Sequence, residues 1–302
     1  FVPIREFSAK LATVQRAVAS LERIYTLLDE PAEQRAGAPA AGDDPLAGFT
    51  GGVAVRDLRF RYRADGPPIL RGISFDIAPG EIVAVVGRTG SGKTSLGRIL
   101  TRTYDDYEGS VRLLTPGGGV EVRDIAPDQL RSRALMVQQD VFLFNDDVAF
   151  NVSLGEPELA ADPARIEAAL RAVQAGEFVA ARGGLGFVVG ERGRNLSSGE
   201  QQLLAFARVA ARAPMLLILD EATASVDSMT ENKVQAAIET LLRGRSVLVI
   251  AHRLSTVRRA DRILVMQAGE VVEQGKHEAL LARGGVYAEL YRMGFKEPAP
   301  DA

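Results

Sequence analysis

A glycine-rich segment at residues 87–94, with the sequence GRTGSGKT, has the residue types and spacing of a loop that binds phosphate groups. Its glycines allow backbone N–H groups to point inward around phosphate oxygens, and the helix predicted at residues 95–103 adds the positive end of its dipole. Lys93 would place a positive charge beside the β- and γ-phosphates, and the Thr94 hydroxyl would reach a Mg²⁺ ion. The apolar, β-branched run at residues 82–86 predicts the buried strand that this motif requires directly before it.

Two adjacent acids, Asp220 and Glu221, follow the apolar run at residues 215–219. Ligands of open α/β sheets bind at the carboxyl ends of the strands, and a buried strand here would place both carboxylates at such an end. Asp220 suits Mg²⁺, directly or through water, and Glu221 suits polarising an attacking water. A solvated acidic turn is the alternative interpretation, which the phosphate loop in the same chain makes less favoured.

One of the two histidines, His252, follows the apolar run at residues 247–251, which predicts another core strand ending at the same edge of the sheet. From that position the imidazole ring could reach a γ-phosphate. A structural histidine at a strand end is the alternative, and it is the commoner case for a single histidine. The second histidine, His277, lies in a polar stretch and carries no such argument.

The elements that would position these residues alternate between strand and helix. A cap followed by proline at Asp162 and Pro163 predicts one helix start, and the periodicity of residues 200–212 predicts another helix. The predicted strands are residues 53–63, 73–77, 82–86, 215–219, 247–250, 263–266 and, after a tight turn at Ala268 and Gly269, 271–272. Strands separated by helices indicate an α/β fold with a parallel sheet.

The N-terminal 30 residues carry apolar side chains at alternating spacings of three and four, which predicts a helix with one apolar stripe. Such a helix would form a coiled coil or, as the favoured interpretation, pack on a partner that is missing from this chain. Residues 31–52 are rich in Ala, Gly and Pro and are predicted to form a linker. The chain begins at Phe1 and not at methionine, which suggests a piece of a longer protein.

Composition narrows the class of protein. The 302 residues are 46% hydrophobic and include no cysteine, which excludes a disulfide framework, a zinc ribbon and a thiol nucleophile. A net charge of −3 disfavours a nucleic-acid partner. The longest uninterrupted apolar run has five residues, whereas a membrane-spanning helix needs roughly 20. We therefore expect a globular chain with no nucleic-acid partner and no spanning segment of its own.

The segment NLSSGEQ at residues 195–201 makes the set of motifs specific, because it lies between the phosphate loop and the acids at 220 and 221. In this order the motifs resemble the nucleotide-binding domain of an ABC transporter of the exporter type, and the resemblance covers residues 53–294. It implies a P-loop ABC-type ATPase core with a mixed sheet and an antiparallel β subdomain. It also implies a helical signature subdomain at about residues 140–212, a tail at 295–302, and residues 1–30 as a helix continuing from a missing transmembrane domain.

The resemblance implies further that the chain binds ATP and Mg²⁺ and hydrolyses ATP to power export. Tyr62 matches the aromatic residue that stacks on adenine, and Gln139 matches the glutamine that contacts Mg²⁺ and the attacking water. With Gln139, the implied catalytic residues are Glu221 as general base and His252, which would fix the γ-phosphate and the water. The implied ATP-binding residues are Tyr62, Gly87, Arg88, Thr89, Gly90, Ser91, Gly92, Lys93, Thr94 and Ser95, and the implied Mg²⁺ ligands are Thr94, Gln139 and Asp220.

Members of this family bind ATP between two domains arranged head to tail, so the resemblance implies a second ABC ATPase domain as partner. The helix that begins near Ser197 would present its N-terminal N–H groups to the partner's γ-phosphate. The signature residues that would contact the partner's ATP are Ser197, Ser198, Gly199 and Glu200, and the D-loop residues that would touch the opposite subunit are Ser225 and Asp227.

Contacts with a transmembrane domain are implied by three features, the N-terminal helix, the Q-loop at Gln139 and the X-loop VGERG, which contains Glu191. The resemblance places the chain at the cytoplasmic face of a membrane, with the bacterial inner membrane as the expected one. A soluble ABC-type ATPase of translation or DNA repair and an ATPase subunit of an importer are the alternatives. The N-terminal helix and the X-loop favour the exporter.

The signature departs from the family's common Leu-Ser-Gly-Gly-Gln at Ser198 and Glu200. A structural interpretation is a capping box, in which Ser197 and Glu200 satisfy each other's backbone donors. A functional cost is also expected, because a carboxylate about 6 Å from a phosphate repels it by roughly 3 kcal/mol at an effective dielectric near 20. Intact catalytic residues beside an altered signature resemble the competent half of a heterodimer, and a homodimer remains the alternative. The run at residues 115–119 is expected to form a longer surface loop.

Overall fold

The structure is a computed structural model, and it describes residues 2–29, 44–138, 141–220, 228–251 and 254–294. The chain divides into two compact units, Phe1–Ala41 and Gly42–Ala302. The first unit contains helix α1 (Val2–Leu28), whose large apolar side chains are exposed, among them Phe7, Leu11 and Val14. This helix therefore presents an unburied apolar stripe.

All strands and the remaining helices that the structure describes belong to the second unit. The strands are β1 (Gly52–Phe60), β2 (Leu70–Ile77), β3 (Ile82–Gly87), β4 (Glu108–Thr115), β5 (Gly118–Glu121), β6 (Ala134–Val137), β7 (Leu216–Asp220), β8 (Ser246–Ile250), β9 (Arg262–Gln267) and β10 (Glu270–Gly275). The helices are α2 (Lys93–Leu100), α3 (Pro127–Arg133), α4 (Val148–Ser153), α5 (Pro157–Ala160), α6 (Pro163–Ala172), α7 (Gly176–Ala181), α8 (Ser198–Arg212), α9 (Ser228–Leu242), α10 (Leu254–Arg259), α11 (His277–Arg283) and α12 (Val286–Gly294). Within the described ranges, no helix has both the length and the apolar character needed to cross a membrane.

The strands form two sheets. The smaller sheet has the order β2, β1, β4, β5, and its neighbouring strands are antiparallel. The larger sheet has the order β10, β9, β3, β8, β7, β6, in which the strands from β9 to β6 are parallel and β10 is antiparallel to β9. The predicted α/β class, with a mixed sheet and an antiparallel β subdomain, is therefore confirmed.

The central strands β3, β7 and β8 are buried along almost their whole length, as expected for apolar runs in a parallel sheet covered on both faces. Their side chains alternate between two cores. Val86 and Leu219 belong to a core that includes residues of α6, α8 and α9. Val85 and Ile218 belong to a second core, shared with α2 and the antiparallel sheet. Since both faces are covered, the carboxyl edge of the sheet is where a ligand can approach these strands.

Helix α6 begins where the sequence predicts. Asp162 accepts a hydrogen bond from the backbone N–H of Arg165 at 3.0 Å, and Pro163 is the first helical residue. Helix α8, which packs against α6, begins at Ser198, two residues before the predicted boundary.

Residues 44–50, which composition assigns to the linker, are part of the second unit. Leu46 and Phe49 are buried in the core beneath the antiparallel sheet, and Asp44 accepts a hydrogen bond from Arg133 at 3.0 Å. Two large apolar side chains are enough to anchor a segment whose average composition is that of a linker.

The prediction of a longer surface loop at residues 115–119 is wrong. Strands β4 and β5 pair directly through Thr115 and Gly118, so Pro116 and Gly117 alone form the turn of a hairpin. The Thr115 hydroxyl donates to the carbonyl of Gly118 at 2.8 Å. Gly118 has a φ of +119°, a conformation that glycine adopts without strain and that lets the chain reverse over two residues.

Candidate nucleotide-binding site

The phosphate loop connects β3, in the middle of the parallel strands, to the start of α2. Gly87 ends β3 beside Met266 of β9, and a Cβ at residue 87 would overlap the carbonyl oxygen of Met266. Gly92 has a φ of +100°, and a Cβ there would lie 2.6 Å from Cδ2 of Leu70. These glycines are therefore required by close packing as well as by the backbone conformation of the loop.

Lys93 lies inside this loop and is only 7% exposed. Its ammonium group donates to the carbonyl oxygens of Gly87 at 2.8 Å and of Arg88 at 3.1 Å. Burial lowers the pKa of the Lys93 ammonium, and the charge of Asp220 acts in the opposite direction. A bound phosphate would add to the effect of Asp220, because a nearby negative charge favours the protonated amine.

Thr94 and Asp220, two of the predicted Mg²⁺ ligands, are in contact. The Thr94 hydroxyl donates to Oδ2 of Asp220 at 2.9 Å. Mg²⁺ prefers oxygen ligands and is usually bound through one or two protein groups together with substrate phosphates, so this pair fits the ion. In the part of the chain that the structure describes, no group of three His, Cys, Asp or Glu side chains could hold a metal by itself.

Tyr62 lies just beyond β1 and is anchored at its hydroxyl. The hydroxyl shares a 2.7 Å hydrogen bond with Oγ of Ser95, in the first turn of α2. Its ring packs edge to face against Phe60 and Tyr104, with centroids 5.0 and 5.3 Å apart. The side of the ring that remains open leaves the residue 50% exposed, so a base beside the phosphate loop would find an aromatic surface.

Removing the Tyr62 ring is expected to weaken ATP binding by about 5- to 150-fold, the range of one lost stacking interaction of 1–3 kcal/mol. The Tyr62→Ala variant makes this change, and titration calorimetry measures it. Tyr62→Phe keeps the ring and loses only the bond to Ser95, so its affinity should stay within about threefold of wild type. Tyr25→Ala, which truncates an exposed tyrosine of α1, is the control. Equal losses in Tyr62→Ala and Tyr25→Ala would contradict a stacking role.

The signature segment forms the capping box predicted for it. Ser197 is the N-cap of α8, and its hydroxyl accepts a hydrogen bond from the N–H of Glu200 at 3.2 Å. The Glu200 carboxylate accepts one from the N–H of Ser197 at 2.8 Å. Gly199 is buried and Ser198, the first residue of the helix, is exposed. The first turn of α8 is therefore well defined and open to a second molecule at Ser198.

The X-loop is bonded to the start of α8 by the first and last residues of the NLSSGEQ segment, to which the motif assigns no individual role. Asn195 accepts from the N–H of Gly190 at 2.8 Å and donates to the carbonyl of Val188 at 3.0 Å. Gln201 donates to the carbonyl of Gly193 at 3.1 Å. Glu191, in the middle of this loop, is exposed. The hydrogen bonds of Asn195 and Gln201 would therefore transmit a movement of the X-loop to the start of the signature helix.

Five predicted site residues lie outside the described residues: Gln139, Glu221, Ser225, Asp227 and His252. Their predicted roles remain predictions. In the sequence, Glu221 directly follows the last residue of β7 and His252 comes two residues after the last residue of β8, and these strands are neighbours in the sheet.

Comparison with known proteins identifies the family of the chain. The family model described as ABC transporter matches residues 70–224. The chain is 46% identical over 287 residues to an ATP-dependent lipid A-core flippase of Burkholderia orbicola, covering 95% of this chain and 46% of that protein. It is 42% identical over 302 residues to a flippase of the same name from Chromobacterium violaceum, covering 100% of this chain and 50% of that protein. The chain thus spans about half the length of the curated relatives it matches.

A solved structure described as a bacterial Atm1-family ABC exporter with ATP bound is similar over 95% of this chain and 49% of that chain. The TM-score is 0.77 and the sequence identity is 34%. The predicted family is confirmed: the chain belongs to the ABC transporter family, and its fold and motifs are those of the nucleotide-binding domain of an exporter.

Proposed function

We propose that the chain binds ATP with Mg²⁺ and hydrolyses it to drive export across a membrane. The observation that carries the proposal is the 2.9 Å contact between Thr94 and Asp220, beside the buried ammonium of Lys93. A cation for the phosphates and two oxygen ligands for Mg²⁺ then lie at one edge of the sheet. Phosphoryl transfer depends mainly on positioning and charge neutralisation, which these groups supply.

Hydrolysis is proposed to occur between two ATPase domains arranged head to tail. The capped first turn of α8 and the exposed Ser198 support this arrangement, because a helix N-terminus binds anions through its backbone N–H groups and its dipole. In the pair, the phosphate loop of one domain and the signature of the other hold the same ATP. Glu221 acts as general base, and His252 and Gln139 position the γ-phosphate and the water.

A transmembrane domain is the second proposed partner, with the chain at the cytoplasmic face of a bacterial inner membrane. Exposed Phe142 and Phe144, whose ring centroids are 5.1 Å apart, offer an apolar contact surface. The X-loop with Glu191 and the apolar stripe of α1 are the other proposed contacts. The flippase relatives and the solved exporter favour export over the soluble and importer alternatives.

The Asp220→Asn variant tests the metal site on which this proposal depends. Its ATP hydrolysis is expected to need a roughly 10- to 100-fold higher Mg²⁺ concentration, because a carboxylate that holds the ion is neutralised. Phosphate release at graded Mg²⁺ concentrations measures the shift. Asp261→Asn is the matched control, since Asp261 accepts a hydrogen bond from the N–H of Ile82 at the other end of β3. Wild-type chain without Mg²⁺-dependent hydrolysis would contradict the proposed function.

A further inference from the structure

The carboxylate of Glu200, in the first turn of the signature helix, is paired with Arg182, the residue that follows α7. One guanidinium nitrogen of Arg182 lies 2.9 Å from Oε1 and 3.1 Å from Oε2 of Glu200. A second nitrogen donates to the carbonyl oxygen of Asn195 at 2.8 Å. The guanidinium carbon lies 5.9 Å from the ring centroid of Phe178 and 5.6 Å from that of Phe187. Arg182 therefore joins α7, the segment before α8 and the helix start.

The pair is partly shielded from water. The Glu200 side chain is 17% exposed and the Arg182 side chain is 34% exposed. Oε2 of Glu200 also accepts the N–H of Ser197, so both carboxylate oxygens have partners within the chain. The geometry of the carboxylate is consequently fixed from two directions, and a charge-assisted bond of this kind is stronger than a neutral one.

This arrangement changes the electrostatic expectation for the altered signature. A lone carboxylate in the first turn would offset the positive end of the helix dipole, which amounts to about half an elementary charge. Arg182 supplies a full positive charge at hydrogen-bond distance from Glu200. The charges of the Arg182 and Glu200 side chains sum to zero, so the N-terminus of α8 keeps its positive potential toward an anion.

We propose that Arg182 is a positioning residue for ATP hydrolysis, because it neutralises the Glu200 carboxylate at the start of the signature helix and fixes its orientation. The inference rests on the proposed function, in which this signature contacts the ATP bound by a second domain. The signature that contains Glu200 then completes an active ATP site on the partner domain. The acid at residue 200 does not weaken that site. Arg182 is needed because residue 200 is acidic, so the effect of removing it depends on that acid.

Three variants test this dependence: Arg182→Leu, Glu200→Gln and the two together. Removing Arg182 is expected to lower kcat by about 10- to 100-fold when Glu200 is present, because the carboxylate then faces the phosphate without a counter-ion. In the Glu200→Gln background, the same Arg182→Leu change should lower kcat less than about threefold. ATP binding to separated chains, which uses only their own phosphate loops, should be unchanged by Arg182→Leu.

Two controls separate charge from packing. Arg182→Lys keeps the positive charge without the planar fork and should retain more activity than Arg182→Leu. Arg171→Leu removes an exposed arginine that pairs with Glu167 at 3.5 Å on α6, and kcat should not change. Thermal unfolding of each variant shows whether the chain remains folded.

The results distinguish failure of the inference about Arg182 from failure of the proposed function. If Arg182→Leu is as active as wild type, or as damaging in the Glu200→Gln background as alone, Arg182 does not act as the counter-ion of Glu200 and the inference is wrong. If the wild-type chain shows no Mg²⁺-dependent hydrolysis, the proposed function is wrong and the inference is overturned with it. Loss of activity only in the presence of Glu200 supports both.

Discussion

The Glu221→Gln variant is expected to bind ATP with nearly wild-type affinity and to hydrolyse it on the order of 10²- to 10⁴-fold more slowly. Glutamine has the shape of glutamate, but its amide cannot accept a proton from the attacking water. Glu221 directly follows Asp220 in the sequence, and Asp220 contacts Thr94, the other described residue of the proposed Mg²⁺ site. Binding and turnover should therefore separate in this variant.

Titration with ATP and phosphate release at saturating ATP measure the two quantities. Glu158→Gln, at an exposed position in the first turn of α5, makes the same chemical change far from the sheet edge and should leave both quantities unchanged. Undiminished turnover in Glu221→Gln would remove Glu221 as the general base. A parallel loss of ATP binding would instead point to a role in holding the nucleotide.

The parts of the site that the sequence predicts correctly are those encoded locally. The phosphate loop, the strand before it and the capping box at Ser197 each depend on residue types within a few positions of one another. The contact between Thr94 and Asp220 spans 126 positions, yet it follows from one topological rule. Carboxyl ends of parallel strands meet at one edge, so residues that end or follow such strands are brought together.

The contacts that sequence does not predict depend on pairs without a fixed spacing. Arg182 and Glu200 are 18 positions apart, on a helix end and a helix start, and no periodicity links them. The hydrogen bond between Tyr62 and Ser95 joins the segment after β1 to α2 across 33 positions. The burial of Leu46 and Phe49 is not predicted, because the residues around them have the composition of a linker. In each case the structure depends on a tertiary contact and not on local composition or periodicity.

The pairing of Arg182 with Glu200 also bears on whether the altered signature marks a heterodimer. The sequence argument treats Glu200 as an uncompensated charge near a phosphate. In the structure this charge has a counter-ion at 2.9 Å, so the repulsion of roughly 3 kcal/mol does not apply in full. The departure from the common signature is therefore compatible with two active sites in a homodimer, and it loses its force as an argument for a heterodimer.

A negative charge placed at residue 198 should lower turnover by repelling the phosphate, an effect that we do not expect from Glu200 because Arg182 neutralises it. Ser198 is the exposed first residue of α8, and the Ser198→Asp variant adds a second carboxylate to the first turn, beyond the one that Arg182 neutralises. The acid favours the helix itself by about 0.3–1 kcal/mol through the dipole, so the chain should fold. Repulsion of a phosphate about 6 Å away costs roughly 3 kcal/mol, so turnover should fall about 100-fold. Ser198→Asn, which is similar in shape and neutral, is the control.

Mixing two inactive variants shows on which chain the signature acts. Lys93→Ala lacks the ammonium that the phosphate loop holds and is expected to lose ATP binding by about 10- to 150-fold, but its signature is intact. In a head-to-tail pair with a Ser198→Asp chain, one site combines the intact loop of the latter with the intact signature of the former. Random pairing in a two-fold dimer then restores up to about a quarter of wild-type turnover. A mixture no more active than its components would contradict shared sites, because each chain would then contain a complete site whose damage its partner cannot repair.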